Sequence, residues 1–474
     1  MLTAVLLIPL VAAAVFALLP GPRLVAWFNV AAAAVTCAAA AGLAWDRPTA
    51  GSYVFVDDLN VVFLVLGGFV GLTTAVFSAP YMAHELAARR LSPGVLRFYH
   101  AMFQLMTFGM NLALLANNIG LMWVALELAT LTTVLVVGVY RTPAAIEAAW
   151  KYFILGSVGI ALALFGTILV YMAARDVLGE GDAMVWTVLI TAAPRLDAAL
   201  LNLAFVFLLI GYGTKIGIVP LHAWLPDAHA EGPTPVSAVL SGLLLNVALY
   251  ALLRFKMILA ANPLAIAPGP LMVGLGLLSV LFAAFMLYRR PDIKRLFAYS
   301  SVEHMGVMVF AFGVGGAVAN FAGLLQMALH SLTKAAIFFA VGQACQIKGS
   351  QRLEDIGGLT VSDPLLGWGL VAGVAAIAGL PPFGLFMSEF MLLSTTFQRA
   401  PVLAVLLGIG LLVAFGALLL RLNGVAFGAP GGVAKRVKVS RVPLLAHLLL
   451  VLAAGIYLPP PLVAWLEHVA KLLG

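Results

Sequence analysis

Charge is what this chain has least of: only 9% of its 474 residues are Asp, Glu, Lys or Arg, against 63% hydrophobic. Soluble domains carry roughly 25% charged residues, so a soluble globular fold is excluded and a polytopic membrane protein is implied. Cysteine is nearly absent as well. Cys37 and Cys345 lie far apart in apolar runs, which excludes a disulfide framework and a thiolate metal site. Neither a Cys/His cluster nor a glycine-rich phosphate loop occurs, so no redox centre or nucleotide is expected in the chain itself. Met1 to Pro22 carry no charge, whereas a secretory leader opens on a basic segment. This stretch therefore reads as a retained first helix. The net charge of +7 would suggest an anionic partner in a soluble protein. Here it reads as orientation signal and lipid-headgroup contact, not as a nucleic-acid surface.

What is present in abundance is long apolar runs. A helical span needs about 20 such residues. Fourteen candidates fall at 1–20, 25–45, 59–79, 98–116, 118–140, 151–173, 201–220, 236–260, 270–288, 296–315, 318–346, 364–398, 401–425 and 443–464. The fold class is all-α. Connecting basic residues divide unevenly between alternate sides. One side holds sixteen: Arg23, Arg89, Arg90, Arg97, Arg141, Lys151, Arg289, Arg290, Lys294, Arg295, Lys348, Arg352, Lys435, Arg436, Lys438 and Arg441. The other holds seven: Arg47, Arg175, Arg195, Arg254, Lys256, Arg399 and Lys471. By the positive-inside rule both termini are expected on the periplasmic side of a bacterial inner membrane.

Two spans are interrupted. The seventh runs into Gly217-Ile218-Val219-Pro220 and a polar stretch, His222 to Pro235. The twelfth carries Gly379-Leu380-Pro381-Pro382-Phe383-Gly384 in mid-run. Pro220, Pro381 and Pro382 each remove a backbone donor. Freed carbonyls at membrane depth survive only where they are buried in protein or line a wet cavity. One broken helix in each half points to a transporter built from repeats.

Four charges sit inside apolar runs: Glu127, Lys215, Lys334 and Glu389. Each costs about 2.5–3.5 kcal/mol at a helix centre on insertion scales, and such residues usually face a bundle interior or a hydrated path. Thr130 shares a helix face with Glu127. Lys215 lies among glycines that permit close helix approach. An amine in apolar surroundings holds its proton less tightly, and an acid on a neighbouring helix restores the charged form. His330 and Lys334 are one helical turn apart, and a histidine can relay a proton. His222, Asp227, His229 and Glu231 are metal-ligand types, but their spacing fits no standard site. They read as a loop at the cytoplasmic mouth, with His222, Asp227 and His229 as candidates for proton uptake. Glu303 and His304 are further candidates with less support.

The segment Pro220-Leu221-His222-Ala223-Trp224-Leu225-Pro226-Asp227-Ala228-His229-Ala230-Glu231-Gly232-Pro233-Thr234-Pro235 resembles the signature of the proton-translocating membrane subunits shared by respiratory complex I, Mrp-type cation/proton antiporters and group 4 membrane-bound nickel–iron hydrogenases. Tyr299 to Gly306, His330 to Ala336, and Gly379 to Pro382 followed by Phe386 to Phe390 are similar to further family elements in the same order. The resemblance implies fourteen helices with two inverted five-helix repeats. The expected divisions are 1–97 (first three helices), 98–262 (first repeat), 263–425 (second repeat) and 426–474 (basic loop and last helix).

The same resemblance makes Glu127 and Lys215 a pair, and places His330, Lys334 and Glu389 along the family's proton path. One position departs from the family pattern. Asn246 stands where many members have a central lysine, and an amide holds water but carries no charged proton. Asparagine there, with the Ser-Val-Glu-His form at 301–304, leans towards the hydrogenase-4 component F branch. The function this implies is proton translocation by a membrane-arm subunit of an energy-converting redox complex. Other antiporter-like subunits and a peripheral electron-transfer arm would be partners, with Fe–S clusters and nickel–iron chemistry held by those partners. A Mrp-type antiporter subunit or a subunit of an inorganic-carbon accumulation complex is the alternative.

Overall fold

The computed structural model describes residues 1–19, 21–429, 437 and 440–474. Lys435, Arg436 and Lys438 of the second basic run lie outside the described residues. Six helices open the chain: α1 (Leu2–Leu18), α2 (Pro22–Gly42), α3 (Asp58–Ala87), α4 (Pro93–Leu115), α5 (Ile119–Val137) and α6 (Pro143–Leu178). A short α7 (Trp186–Ala192) precedes α8 (Ala198–Ile216), α9 (Trp224–Glu231) and α10 (Thr234–Val239). The last continues through a π-helical turn, Leu240–Leu244, into α11 (Leu245–Ala260). Then come α12 (Gly269–Leu287), α13 (Ile293–Val314), α14 (Gly316–Lys348), the short α15 (Leu359–Ser362), α16 (Pro364–Ile377), α17 (Gly384–Arg399), α18 (Pro401–Phe427), α19 (Val442–Ile456) and α20 (Pro460–Leu472).

Helix starts are written locally. Asp57 and Asn60 form a reciprocal capping box at α3, and Asn118, Thr142, Asp197 and Asp292 each accept an amide of the first turn. Such side chains satisfy donors that have no intrahelical partner.

Helices occupy all fourteen predicted stretches. Among the described residues, ten are continuous, long and apolar enough to cross a membrane, or eleven with the bent pair α19–α20 taken as one. The others are α1, α4 and the broken α16–α17. The run at 443–464 is not a straight span. It bends by 82° between α19 and α20, at Pro459-Pro460-Pro461, which lack the amides needed to continue a helix. α20 then docks by its end: Asn320 Nδ2 donates to the Gly474 carbonyl (2.7 Å) and Lys256 Nζ to that of Leu473 (2.8 Å).

α10–α11, α13 and α14 are buried on nearly every side, whereas α2, α6, α12 and α18 have less than half of their most apolar stretch buried. Helices apolar all round and buried all round form the centre of a bundle, and those with bare apolar faces meet lipid. Small residues bring helices together. A Cβ on Gly211 of α8 would lie 2.5 Å from the Ala163 amide of α6, and one on Gly276 of α12 would lie 2.6 Å from the Phe310 amide of α13.

Residues that the loop charges assign to one side touch each other. On the richer side Arg295 pairs with Asp227, which also binds Lys151. Arg421, inside the thirteenth predicted span, donates to the Tyr288 carbonyl at this same side. On the other, Arg47 pairs with Asp58 and Arg254 with Asp57, each at 2.7 Å. Arg254 is 2% exposed and its guanidinium lies 4.4–4.8 Å from the rings of Phe55, Trp186 and Tyr250. It clamps α11 to the start of α3. Arg254→Met removes a desolvated ion pair and three cation–π contacts, and is expected to cost roughly 2–4 kcal/mol. Thermal unfolding in detergent checks this.

Candidate functional site

Lys215 is in the last turn of α8 and Glu127 in the middle of α5. The two helices bring Nζ to 3.1 Å from Oε2, with side-chain exposures of 5% and 17%. Gly156 of α6 makes room for the ammonium, since a Cβ there would sit 3.1 Å from Nζ and 3.7 Å from the Thr130 methyl. The pair predicted from sequence is therefore in contact.

α8 stops one residue after Lys215. Gly217 takes φ +82°, the left-handed conformation that glycine adopts without a Cβ penalty. The freed groups are served by side chains. Trp224 Nε1 donates to the Thr214 carbonyl (2.8 Å), and the Val219 amide donates to Ser279 Oγ (3.0 Å). Trp224 is itself held by stacking on Tyr152, with centroids 4.2 Å apart. Pro220 lies within this break.

The polar stretch from His222 to Pro235 is largely helical, not a loop. Trp224–Glu231 is the helix α9, whose Trp224, Leu225, Pro226, Ala228 and Ala230 are buried between α6 and α13. Its four ligand-type side chains diverge. His222 packs edge-on against Phe282 and Tyr299. Asp227 is held by Arg295 (2.5 Å) and Lys151 (3.1 Å), and Glu231 by Arg295 (3.4 Å). His229 is fully buried beside Phe338, with neither ring nitrogen hydrogen-bonded.

Asn246 follows the π-turn and joins α11 to α14. Its amide donates to Ser331 Oγ (2.8 Å) and to the Met327 carbonyl (3.0 Å). Its Oδ1 has no protein partner and the side chain lines a cavity of about 20 Å³. One water fits such a space. π-Turns often mark functional positions, and here the turn places Gly242 where α14 can approach to Ser331.

The second cluster is built on α14. Gln326, His330 and Lys334 follow at intervals of four along one buried face. Lys334 is 0% exposed and donates to the Phe297 carbonyl (2.9 Å). The His330 ring makes no hydrogen bond and lies 5.6 Å, centroid to centroid, from His304.

It is His304 that bridges. Its Nε2 is 3.2 Å from Glu303 Oε2, and its Nδ1 is 2.9 Å from Gln326 Nε2 and 3.8 Å from Glu389 Oε1. Gln326 also donates to Glu389 (3.3 Å), while Ser388 donates to Gln326 Oε1 and so fixes the amide. With that amide donating, Nδ1 accepts and the ring proton is left on Nε2, which makes no hydrogen bond although Glu303 Oε2 lies 3.2 Å away.

Glu389 reaches back from α17 into the twelfth-helix break. A Cβ on Gly379 (φ +68°) would lie 2.2 Å from its Oε2, so only glycine admits the carboxylate. Pro381 and Pro382 occupy the same break.

All six predicted path residues are buried or nearly so, but sequence reasoning gave too little weight to Glu303 and His304 and missed Gln326. The period-four polar stripe on α14 was the signal that could have found the last. Among the described residues, no group of three or more His, Cys, Asp or Glu is placed to hold a metal ion.

An all-helical bundle with two broken helices and a buried chain of acids, histidines and lysines defines a class of multi-pass membrane proteins, and comparison with known proteins agrees. Residues 116–415 match the transmembrane family described as NADH:quinone oxidoreductase/Mrp antiporter, and the chain belongs to that family. It is 58% identical over 471 residues, 99% of each chain, to a hydrogenase-4 component F homolog of Methylacidiphilum infernorum. It is 37% identical over 219 residues, 46% of this chain and 43% of the relative, to NADH-quinone oxidoreductase subunit M of Escherichia coli. Among solved structures, a chain of the archaeal membrane-bound sulfane sulfur reductase superposes with a TM-score of 0.88 at 21% identity, covering 100% of this chain and 98% of the other. A chain of Thermus thermophilus respiratory complex I does so with a TM-score of 0.79 at 25% identity, covering 96% and 97%.

Proposed function

We propose that this chain is a proton-translocating membrane-arm subunit of an energy-converting redox complex of the hydrogenase-4 or complex I kind. The observation that carries this reading is the line of buried ionisable side chains through the bundle centre. Lys215 paired with Glu127 forms one station. Asn246 with its water-sized cavity is the middle, and Lys334, His330, His304, Glu303 and Glu389 form the far cluster. A buried charge is retained at this cost where it carries function. The two stations each sit beside a broken helix, as expected of the inverted repeats 98–262 and 263–425.

Protons would reach Lys215 from the basic face, taken as cytoplasmic in a bacterial inner membrane, and leave by Glu389. Electron chemistry, with Fe–S clusters and nickel–iron, would reside in partner subunits of a peripheral arm. The 58% identity to a hydrogenase-4 component F homolog over nearly the full length supports this over the antiporter reading. The test is isolation of the intact membrane complex through a tag on this chain, with subunit and metal analysis. Iron–sulfur and nickel-bearing subunits are the expected companions. A zinc protein of the carbonic-anhydrase kind, or only other antiporter-like chains, would overturn the redox assignment.

A further inference from the structure

On the uptake route suggested by sequence, through His222, Asp227 and His229, His222 packs against aromatic rings and Asp227 is paired with two cations. A different opening is present on the same basic face. A cavity of about 450 Å³ lies between α3, α9–α10, α13 and α14. Its rim is exposed at Arg90, Thr142 and Gly349, and its floor is polar and buried. Glu85, 1% exposed, accepts from Gln346 Nε2 (2.7 Å) and lies 3.3 Å from Arg90. Lys294, 2% exposed, donates to the carbonyls of Ala230 (2.8 Å) and Gly232 (2.6 Å), and so grips the end of α9 beside His229. Gln346 Oε1 is buried without a protein partner. A polar cavity of this size with an unserved acceptor holds water.

His229 continues the line inward. Both its ring nitrogens lack protein partners, and its charged neighbours are Lys294 on the cavity side and Lys334 on the inner side. The His229 ring lies 5.1 Å from that of Phe338, one turn beyond Lys334 on α14, and Lys334 donates to Phe297 of α13, the helix whose His304 lies 3.2 Å from Glu303 and 3.8 Å from Glu389. We infer that the cavity floored by Glu85 and Lys294 is the hydrated proton uptake mouth of the second half of the path, delivering through His229 to Lys334. Glu85 is the acid that captures the proton from bulk water. Gln346 and Arg90 hold it in place. The tyrosines Tyr81 and Tyr140, with Glu231 and Cys345, complete the titratable lining.

The inference rests on the proton-path reading, and its test separates the two. Cys345 is half-buried on the cavity wall and Cys37 lies elsewhere, against Gly68. In a Cys37→Ser background, a charged, membrane-impermeant methanethiosulfonate should modify Cys345 in inverted membrane vesicles containing the assembled complex. It should fail to do so in right-side-out vesicles. Labelling of Cys345 in right-side-out vesicles instead of inverted ones overturns the placing of this mouth on the basic face. In the same vesicles Glu85→Gln should reduce proton uptake to the level of Lys334→Met, whereas Glu85→Asp, which keeps the carboxylate, should retain it. Normal pumping by Glu85→Gln with loss in Lys334→Met defeats this inference alone. Normal pumping by both defeats the proton-path reading, and this inference with it.

Discussion

Lys215→Met is expected to abolish proton movement through the first station, and so to lower translocation by this chain, while leaving the complex assembled. Methionine preserves most of the buried length and apolar contact of the lysine stem, and it removes the one group on α8 that can take and give a proton there. The usual objection, that breaking a buried ion pair unfolds the protein, has limited force here. Removing the ammonium also removes its desolvation cost. The orphaned Glu127 can be accommodated by taking up a proton. The net stability change is expected to stay within about 2 kcal/mol. Proton uptake by inverted vesicles, followed with a pH-sensitive dye and compared with electron-transfer rate and native-gel assembly, checks it. Wild-type pumping by an assembled Lys215→Met complex would refute the assignment.

Glu389→Gln is the second. The amide is nearly isosteric, keeps an oxygen to accept from Gln326, and fits the glycine-lined break. What it loses is the ability to ionise. Because His304, Gln326 and Glu389 form one connected array, proton movement beyond Lys334 should fall to background, with stability changed by roughly 1 kcal/mol or less. Gly379→Ala reaches the same end by another route. Its Cβ would occupy the position of Glu389 Oε2 at 2.2 Å, so the carboxylate must leave the break although the titrating residue is untouched. Equal loss in both variants, with preserved assembly, would show that Glu389 works at that position; full activity in Glu389→Gln would remove it from the path.

Much of this was legible because the bilayer imposes strong rules. An apolar run of the right length must be helical, since its backbone has no other way to pair. The costliest residues, Glu127, Lys215, Lys334 and Glu389, stand out against that background. Proline and glycine at 217–220 and 379–384 announced both breaks. Less legible were contacts that depend on which helix faces come together. His330 looked like the relay because of its spacing to Lys334, yet α13 presents His304, not α14's His330, to the carboxylates. Sequence spacing reports faces of one helix and is silent about rotation of its neighbour. The same limit hid α9. Four polar side chains in fourteen residues read as a surface loop, but the apolar ones between them decide the burial.

By itself, the sequence determined that this is an all-helical membrane protein, where its long apolar helices run, where two helices break, and which charges lie inside apolar runs. Local chemistry suffices for each, because each depends on a residue and its near neighbours in the chain. Only the tertiary structure decided that Lys215 meets Glu127 across two helices and that Asn246 is tied to α14. It also showed that Glu303, His304, Gln326 and Glu389 form one array, and that Glu85 and Lys294 floor a cavity on the basic face. Those are contacts between residues tens to hundreds of positions apart, fixed by how small residues let helices approach and how each helix is turned about its own axis.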